Sequence, residues 1–315
     1  MENVPPLPDR LAGIPVFFCK EMQADSGGFS PSSSKPEKAL ASWKYLPVSM
    51  QVIKPEPVTQ ADFERAHDSD FVKGILSCEL PNGFRNHDAG VAQSLPWTSG
   101  AMLSAAKEAI ANRHVAVAPV SGFHHAGYRR NGGFCTFNGL MVTTQALLSE
   151  RIIRRVGILD FDQHWGDGTQ EIINQLDLSG AVTHYSPTEE FSEACQAQAF
   201  LDAIPKIVHE FAACDVILYQ AGADPHINDP LGGWLTTLEL AQRDYLVFAS
   251  AKALGIPVAW NLAGGYQTPI QLVLDIHDNT MRACHAVYVD AAEKMSRLPR
   301  SWSRWGAPDW GTNDL

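Results

Sequence analysis

Seven short apolar runs recur along the chain, at residues 14–19 (IPVFFC), 50–53, 115–120 (VAVAPV), 156–159 (VGIL), 181–185, 215–220 (DVILYQ) and 257–261 (PVAWN). Runs that are apolar almost throughout, rather than alternating, predict strands buried on both faces, as in a parallel sheet. Between them lie stretches with apolar residues at helical spacing: 36–45, two within 58–80 that split near Asp68-Ser69, the Ala-rich 97–112, then 140–154, 166–177, 195–214, 236–254 and 269–295. Strand and helix alternate with no internal repeat and no linker, which predicts a three-layer α/β fold with an open, mainly parallel sheet. Residues 1–315 read as a single domain, with a core over about 10–295 and a tail, 296–315, that carries Trp302, Trp305 and Trp310. Tryptophans this dense in a polar tail suggest docking, on the chain's own core or on a second copy as a homo-oligomer.

Two polar stretches interrupt the pattern. Residues 25–38 (DSGGFSPSSSKPEK) are mostly too polar to pack and long for a connection, which suggests the rim of a site. Residues 81–90 (PNGFRNHDAG) have turn chemistry. There His87 or Asp88 either faces a site or is a solvated turn former.

The chemistry concentrates at strand ends. After the run 156–159, the chain places Asp160, Asp162 and His164 at every second position. In extended backbone alternate side chains point the same way, so two carboxylates and an imidazole aim at one spot. Gly166 and Gly168 then let the chain turn into a helix. Grouped buried carboxylates repel unless a cation or a proton joins them. Oxygen and nitrogen ligands suit a divalent metal of the zinc type. The bland alternative is a strand-end Asp that caps a helix beside a satisfied His.

Asp224 follows the run 215–220 and stands where a third ligand is needed. After 115–120 comes SGFHHAGYRRNGGFCTFNG, with His124 and His125 adjacent and Phe134 and Phe137 as an apolar wall. Neighbouring imidazoles can serve two proton-transfer duties if carboxylates hold their tautomers, and Asp160 and Asp167 are available for that. They can also be ligands or buried structural groups, but beside the strand that carries Asp160, Asp162 and His164 catalysis is the favoured reading. The run 257–261 ends in Leu262-Ala263-Gly264-Gly265-Tyr266, where glycines permit close backbone approach and a tyrosine stands at the site's edge.

Bulk properties narrow the classes. The net charge of −11 and pI near 5.4 disfavour nucleic acid as a partner and suit cationic ones. Six scattered cysteines with no C-x-x-C read as reduced thiols of a cytoplasmic protein. The start, MENVPPLPDRLAG, lacks the pattern of a signal peptide, and no apolar run is long enough for a membrane span, so no membrane partner is expected.

Four motifs, GFHHAGY…GGFCTFNG, DFDQHWGDGTQ, YQAGADPHINDPLGG and NLAGGY, appear in one order between residues 122 and 266, and the likeness they carry covers about residues 10–295. In this order they resemble the zinc-dependent histone deacetylase family, including its bacterial amidohydrolase members. The resemblance implies an arginase-like open sheet of largely eight parallel strands. It implies one zinc per chain, held by Asp162, His164 and Asp224. His124 and His125 match the family's proton-handling pair, with Asp160 behind His124 and Asp167 behind His125. Tyr266 matches the residue that donates to the substrate carbonyl. Phe134 would line an acyl-lysine tunnel and Gly133 its floor, with Gly264 and Asp88 also at the substrate. Potassium is implied on backbone oxygens of Asp160, Asp162 and His164. The implied activity is hydrolysis of an acetyl or other short acyl amide on an amine, either acyl-lysine or an acylpolyamine.

Some positions depart from the family pattern. Trp165 replaces a common histidine, and Ala263 replaces the residue usual before the GGY. The segment from Gln170 to Asp215 is short and lacks the family's Gly-rich loop, leaving Phe191 as its candidate for a second tunnel wall. Two other functions share these residues. One is a binuclear manganese hydrolase of the arginase type, against which Tyr266 and the paired histidines argue. The other is a non-catalytic acyl-amine binding protein.

Overall fold

A computed structural model describes residues 10–290. In chain order the elements are β1 (Ile14–Phe17), α1 (Lys35–Trp43), β2 (Met50–Ile53), α2 (Gln60–Glu64), α3 (Ser69–Leu76), α4 (Ala89–Asn112), β3 (Val115–Ala118) and α5 (Gly139–Ser149). Then follow β4 (Val156–Asp160), α6 (Asp167–Gln175), β5 (Val182–Tyr185), α7 (Ala197–His209), β6 (Val216–Gln220), α8 (Thr237–Ala253), β7 (Val258–Asn261) and α9 (Gln271–Tyr288). The strands form one sheet, in the order β2-β1-β3-β7-β6-β4-β5, and every pairing is parallel.

Alternation along the strands divides the core. Leu159, Ile217, Tyr219, Val258 and Trp260 join a cluster with α1, α7, α8 and α9. Val156, Ile158, Val216, Leu218 and Ala259 join a second cluster with α2 to α6. Both faces of β4, β6 and β7 are therefore covered, which is why these strands are apolar up to their last residue. Each ends in a polar residue, Asp160, Gln220 or Asn261, and all three are fully buried at the carboxyl ends of these neighbouring strands.

The seven apolar runs became the seven strands. The eighth strand that the resemblance implied is not formed among the described residues. Between β5 and α7 the chain instead makes two short 3-10 turns, Pro187–Glu189 and Ala194–Gln196. The helix expected from residue 97 begins at Ala89. Pro96 is tolerated inside it, and the Pro96 carbonyl accepts from the Val58 N–H at 3.0 Å. Asp88 caps this helix by accepting from the Val91 N–H at 2.8 Å. The Trp-rich tail expected to dock lies outside the described residues. Among those described, no helix is long and apolar enough to cross a membrane.

Candidate active site

The ends of β4, β6 and β7 meet at one spot, as expected where strands of an open sheet deliver side chains to a crevice. Asp162 and His164 follow β4, and Asp224 follows β6. One ligand atom from each lies within 4.8 Å of the others. His164 Nδ1 is 3.3 Å from both Asp162 Oδ1 and Asp224 Oδ2.

Backbone donors fix the carboxylates. Gly264 N–H donates to Asp162 Oδ2 at 2.8 Å, Gln163 N–H to Asp224 Oδ1 at 3.2 Å, and His164 N–H to Asp162 Oδ1 at 3.1 Å. Gly264 has to be glycine here, because a Cβ on it would stand 2.1 Å from Asp224 Oδ2.

This geometry fits a divalent ion. Asp224 Oδ2 is fully buried and has no hydrogen bond of good geometry among the described residues. Burial, and then the charge of Asp162, push the Asp224 carboxyl up to about 7. Two carboxylates this close cannot both stay ionised in a dry site without a cation. The donor set of two carboxylate oxygens and one imidazole nitrogen suits a divalent ion that takes oxygen and nitrogen ligands.

Beside the cluster stand the tandem histidines. His124 is buried, with Nδ1 2.7 Å from Asp160 Oδ2 and Nε2 3.6 Å from Asp162 Oδ1. His125 is more open, with Nδ1 2.6 Å from Asp167 Oδ1. Their rings lie 4.1 Å apart. Burial lowers the proton affinity of both imidazoles; in His124 the charges of Asp160 and Asp162 reverse this and raise it to about 9. His125 stays lowered, by burial and by its charged neighbour. Gly133, in left-handed backbone at φ 53°, lies against His125; a Cβ there would be 2.4 Å from His125 Cδ2.

Tyr266 closes the other side. Its N–H donates to Asp229 Oδ2 at 2.8 Å, and burial followed by Asp224 raises the phenol. Phe134 lies 5.5 Å from its ring, and Phe29 stacks nearly parallel on it at 6.3 Å. Phe29 is 62 % exposed.

Asp160, Asp162, His164, Asp167, Asp224, His124, His125, Tyr266, Phe134, Gly133 and Gly264 are thus brought together. Asp88 is occupied as a helix cap. Trp165 packs against His184 at 5.2 Å, and Phe191 packs against Phe200 at 5.5 Å beside the core.

The sequence reading missed several groups. Lys35 is fully buried, and its Nζ donates to Ala263 O at 2.6 Å and Gly264 O at 3.2 Å. Arg130 donates to Asp167 Oδ2 at 2.8 Å and to Glu171 Oε2 at 2.5 Å. Phe29 lies in the polar stretch 25–38, which the sequence marks only as a rim. Its one signal was a large aromatic in a Ser/Gly/Pro-rich loop.

A family model described as histone deacetylase domain matches residues 32–191 and 178–277. Acetylpolyamine amidohydrolase 1 of Pseudomonas aeruginosa is 27% identical over 286 residues, covering 69% of this chain and 81% of that protein. Histone deacetylase 2 of Arabidopsis thaliana is 27% identical over 196 residues, covering 56% of this chain and 47% of that protein. A solved structure, the HDA15 HD domain, superposes with a TM-score of 0.69 at 18% identity, over 93% of this chain and 95% of that one. At that identity it speaks for the fold.

Proposed function

The chain belongs to the histone deacetylase family, and from that premise we propose that it is a zinc-dependent amidohydrolase that removes a short acyl group from an amine. The substrates we assign are acyl-lysine and small acylpolyamines. The observation that carries this reading is the convergence of Asp162, His164 and Asp224 within 4.8 Å, next to two imidazoles each backed by its own carboxylate. A related protein of Pseudomonas aeruginosa named as an acetylpolyamine amidohydrolase supports the substrate class. The chain's net charge of −11 suits a cationic amine product.

Asp162, His164 and Asp224 would hold the ion. When bound, zinc polarises the amide carbonyl and lowers the pKa of a water molecule. His125 has its carboxylate on Nδ1, which leaves Nε2 to take the water proton and return it to the departing amine. Asp167 orients that ring and is itself held by Arg130. His124, between Asp160 and Asp162, supplies positive charge beside the reacting carbonyl. The Tyr266 hydroxyl donates to the carbonyl oxygen as negative charge develops there. Phe134 and Phe29, both against the Tyr266 ring, are the aromatic surfaces we assign to the substrate's apolar stem. Phe29 takes the place that Phe191 was expected to fill. Potassium on the backbone oxygens of Asp160, Asp162 and His164 belongs to the same reading.

The test is a panel of acetyl-, trifluoroacetyl- and longer acyl-lysine peptides run beside N-acetylated polyamines. Release of the acyl group from at least one class is expected. Tight binding of a hydroxamate with no turnover anywhere would leave a binding protein instead. Two manganese ions per chain would favour the arginase type.

A further inference from the structure

Behind the ligand cluster lies a charged group that none of these roles uses. Arg243, in α8, is fully buried. Its Nη1 donates to the carbonyl oxygen of Phe161 at 2.9 Å and to that of Gly222 at 2.8 Å. Phe161 immediately precedes Asp162, and Gly222 stands two residues before Asp224. One nitrogen therefore ties together the two strand tips that carry the carboxylates.

The place of this tie in the ladder matters. Pairing of β4 with β6 ends at Asp160 opposite Gln220, and the Phe161 N–H reaches Gln220 O at 3.1 Å. Among the described residues this is the last backbone bond between the two tips before the cluster. Beyond it, two carbonyl oxygens turn toward one buried point and repel. A guanidinium, planar and always charged, can satisfy both while its other nitrogens bind elsewhere.

Arg243 Nε donates to Asp244 Oδ1 at 2.8 Å, and Nη2 lies 2.8 Å from the same oxygen as an ion pair. The Asp244 carboxylate also accepts from Tyr219 Oη of β6 and Thr280 Oγ1 of α9, each at 2.5 Å. Arg243 is thus anchored at one end to the framework and at the other to the two ligand-bearing turns. A buried ion pair gains little stability for its desolvation cost, so its presence calls for another role.

We propose that Arg243, held by Asp244, is a positioning residue that fixes the spacing of Asp162 and Asp224 and so sets the site's affinity for a zinc-type divalent ion. This rests on the proposed metal reading. The clamp acts through main-chain carbonyls and touches neither the ion nor the substrate.

The test is zinc affinity of the full-length chain, stripped of metal and titrated against a chelating dye. The variants are Arg243→Lys, which lacks the planar fork, and the isosteric Asp244→Asn, which frees the guanidinium. Loss of a group that orients metal ligands typically weakens affinity by about 10–100-fold, and that loss is expected in each variant that keeps its folded circular dichroism. Turnover at saturating zinc should show reduced kcat with KM retained. Zinc affinity equal to wild type in the folded variants, with only the melting temperature lowered, would overturn the clamp and leave a structural role. Absence of zinc binding by the wild-type chain would remove the underlying metal reading, and the clamp with it.

Discussion

Lys35 reaches from the start of α1 to the Ala263 carbonyl, with Nζ 2.6 Å from that oxygen and the side chain wholly out of solvent. Ala263 is in left-handed backbone at φ 49°, a conformation that alanine adopts at a cost. The ammonium holds that turn, and the next residue, Gly264, gives its N–H to Asp162. Lys35→Met, similar in length and uncharged, should lower stability by about 1.5–3 kcal/mol, the usual worth of hydrogen bonds to a charged group. It should also lower kcat, because Gly264 and Tyr266 lose their support. Denaturant unfolding and steady-state kinetics measure the two effects; an unchanged kcat would show that the turn holds its shape alone.

Gly264→Ala attacks the cluster sterically. The added methyl would stand 2.1 Å from Asp224 Oδ2 and 2.8 Å from Asp162 Oδ2. Both carboxylates are buried and cannot swing aside. Zinc content after dialysis should fall to near zero while the far-ultraviolet circular dichroism stays folded. Full metal content would mean that the ligands sit elsewhere.

Tyr266→Phe separates oxyanion stabilisation from metal binding. The ring keeps its contacts with Phe134 and Phe29 and loses only the hydroxyl. Removing one such donor commonly costs about 10²–10³ in kcat. That loss, with zinc affinity retained, is the expected pair of results; turnover near that of wild type would remove the assigned role of the hydroxyl.

His67 predicts a pH dependence of stability away from the site. It is fully buried, with Nδ1 against Gly127 O at 2.9 Å and Nε2 accepting from the Asn138 N–H at 2.9 Å. Both nitrogens are satisfied only in the neutral ring, and burial lowers its pKa to about 4. The unfolded chain, with an ordinary histidine, takes up the proton first as pH falls. Stability is therefore full above the unfolded value near 6.5 and is lost as pH drops toward 4. Between pH 7 and pH 5 this one group should cost about 2 kcal/mol. The unfolding free energy from urea titration should change between the two pH values by that much less in His67→Gln than in wild type; an equal change in both proteins would contradict it.

What the sequence revealed followed from local periodicity. Asp160, Asp162 and His164 could be placed together because an apolar run showed the backbone was extended where they begin. The Gly-rich ends of the neighbouring runs located His124, His125, Asp224 and Tyr266 in the same way. Lys35 was not legible, because a lysine between serine and proline reads as the exposed start of a helix, and only the return of the chain some 228 residues later supplies its partner. Arg243 and Asp244 were hidden for a related reason, since adjacent opposite charges on a helix normally face water. The eighth strand was expected from likeness alone; the chain's own pattern held seven.

The most direct measurement is acyl release as a function of bound zinc. Metal-free protein would be titrated with zinc, with product followed from an N-acetylated polyamine and an acetyl-lysine peptide. Turnover should rise in proportion to metal and saturate at one ion per chain, and Asp224→Asn should neither bind nor turn over. Saturation of the wild-type chain with zinc and no acyl release from either substrate would contradict the account.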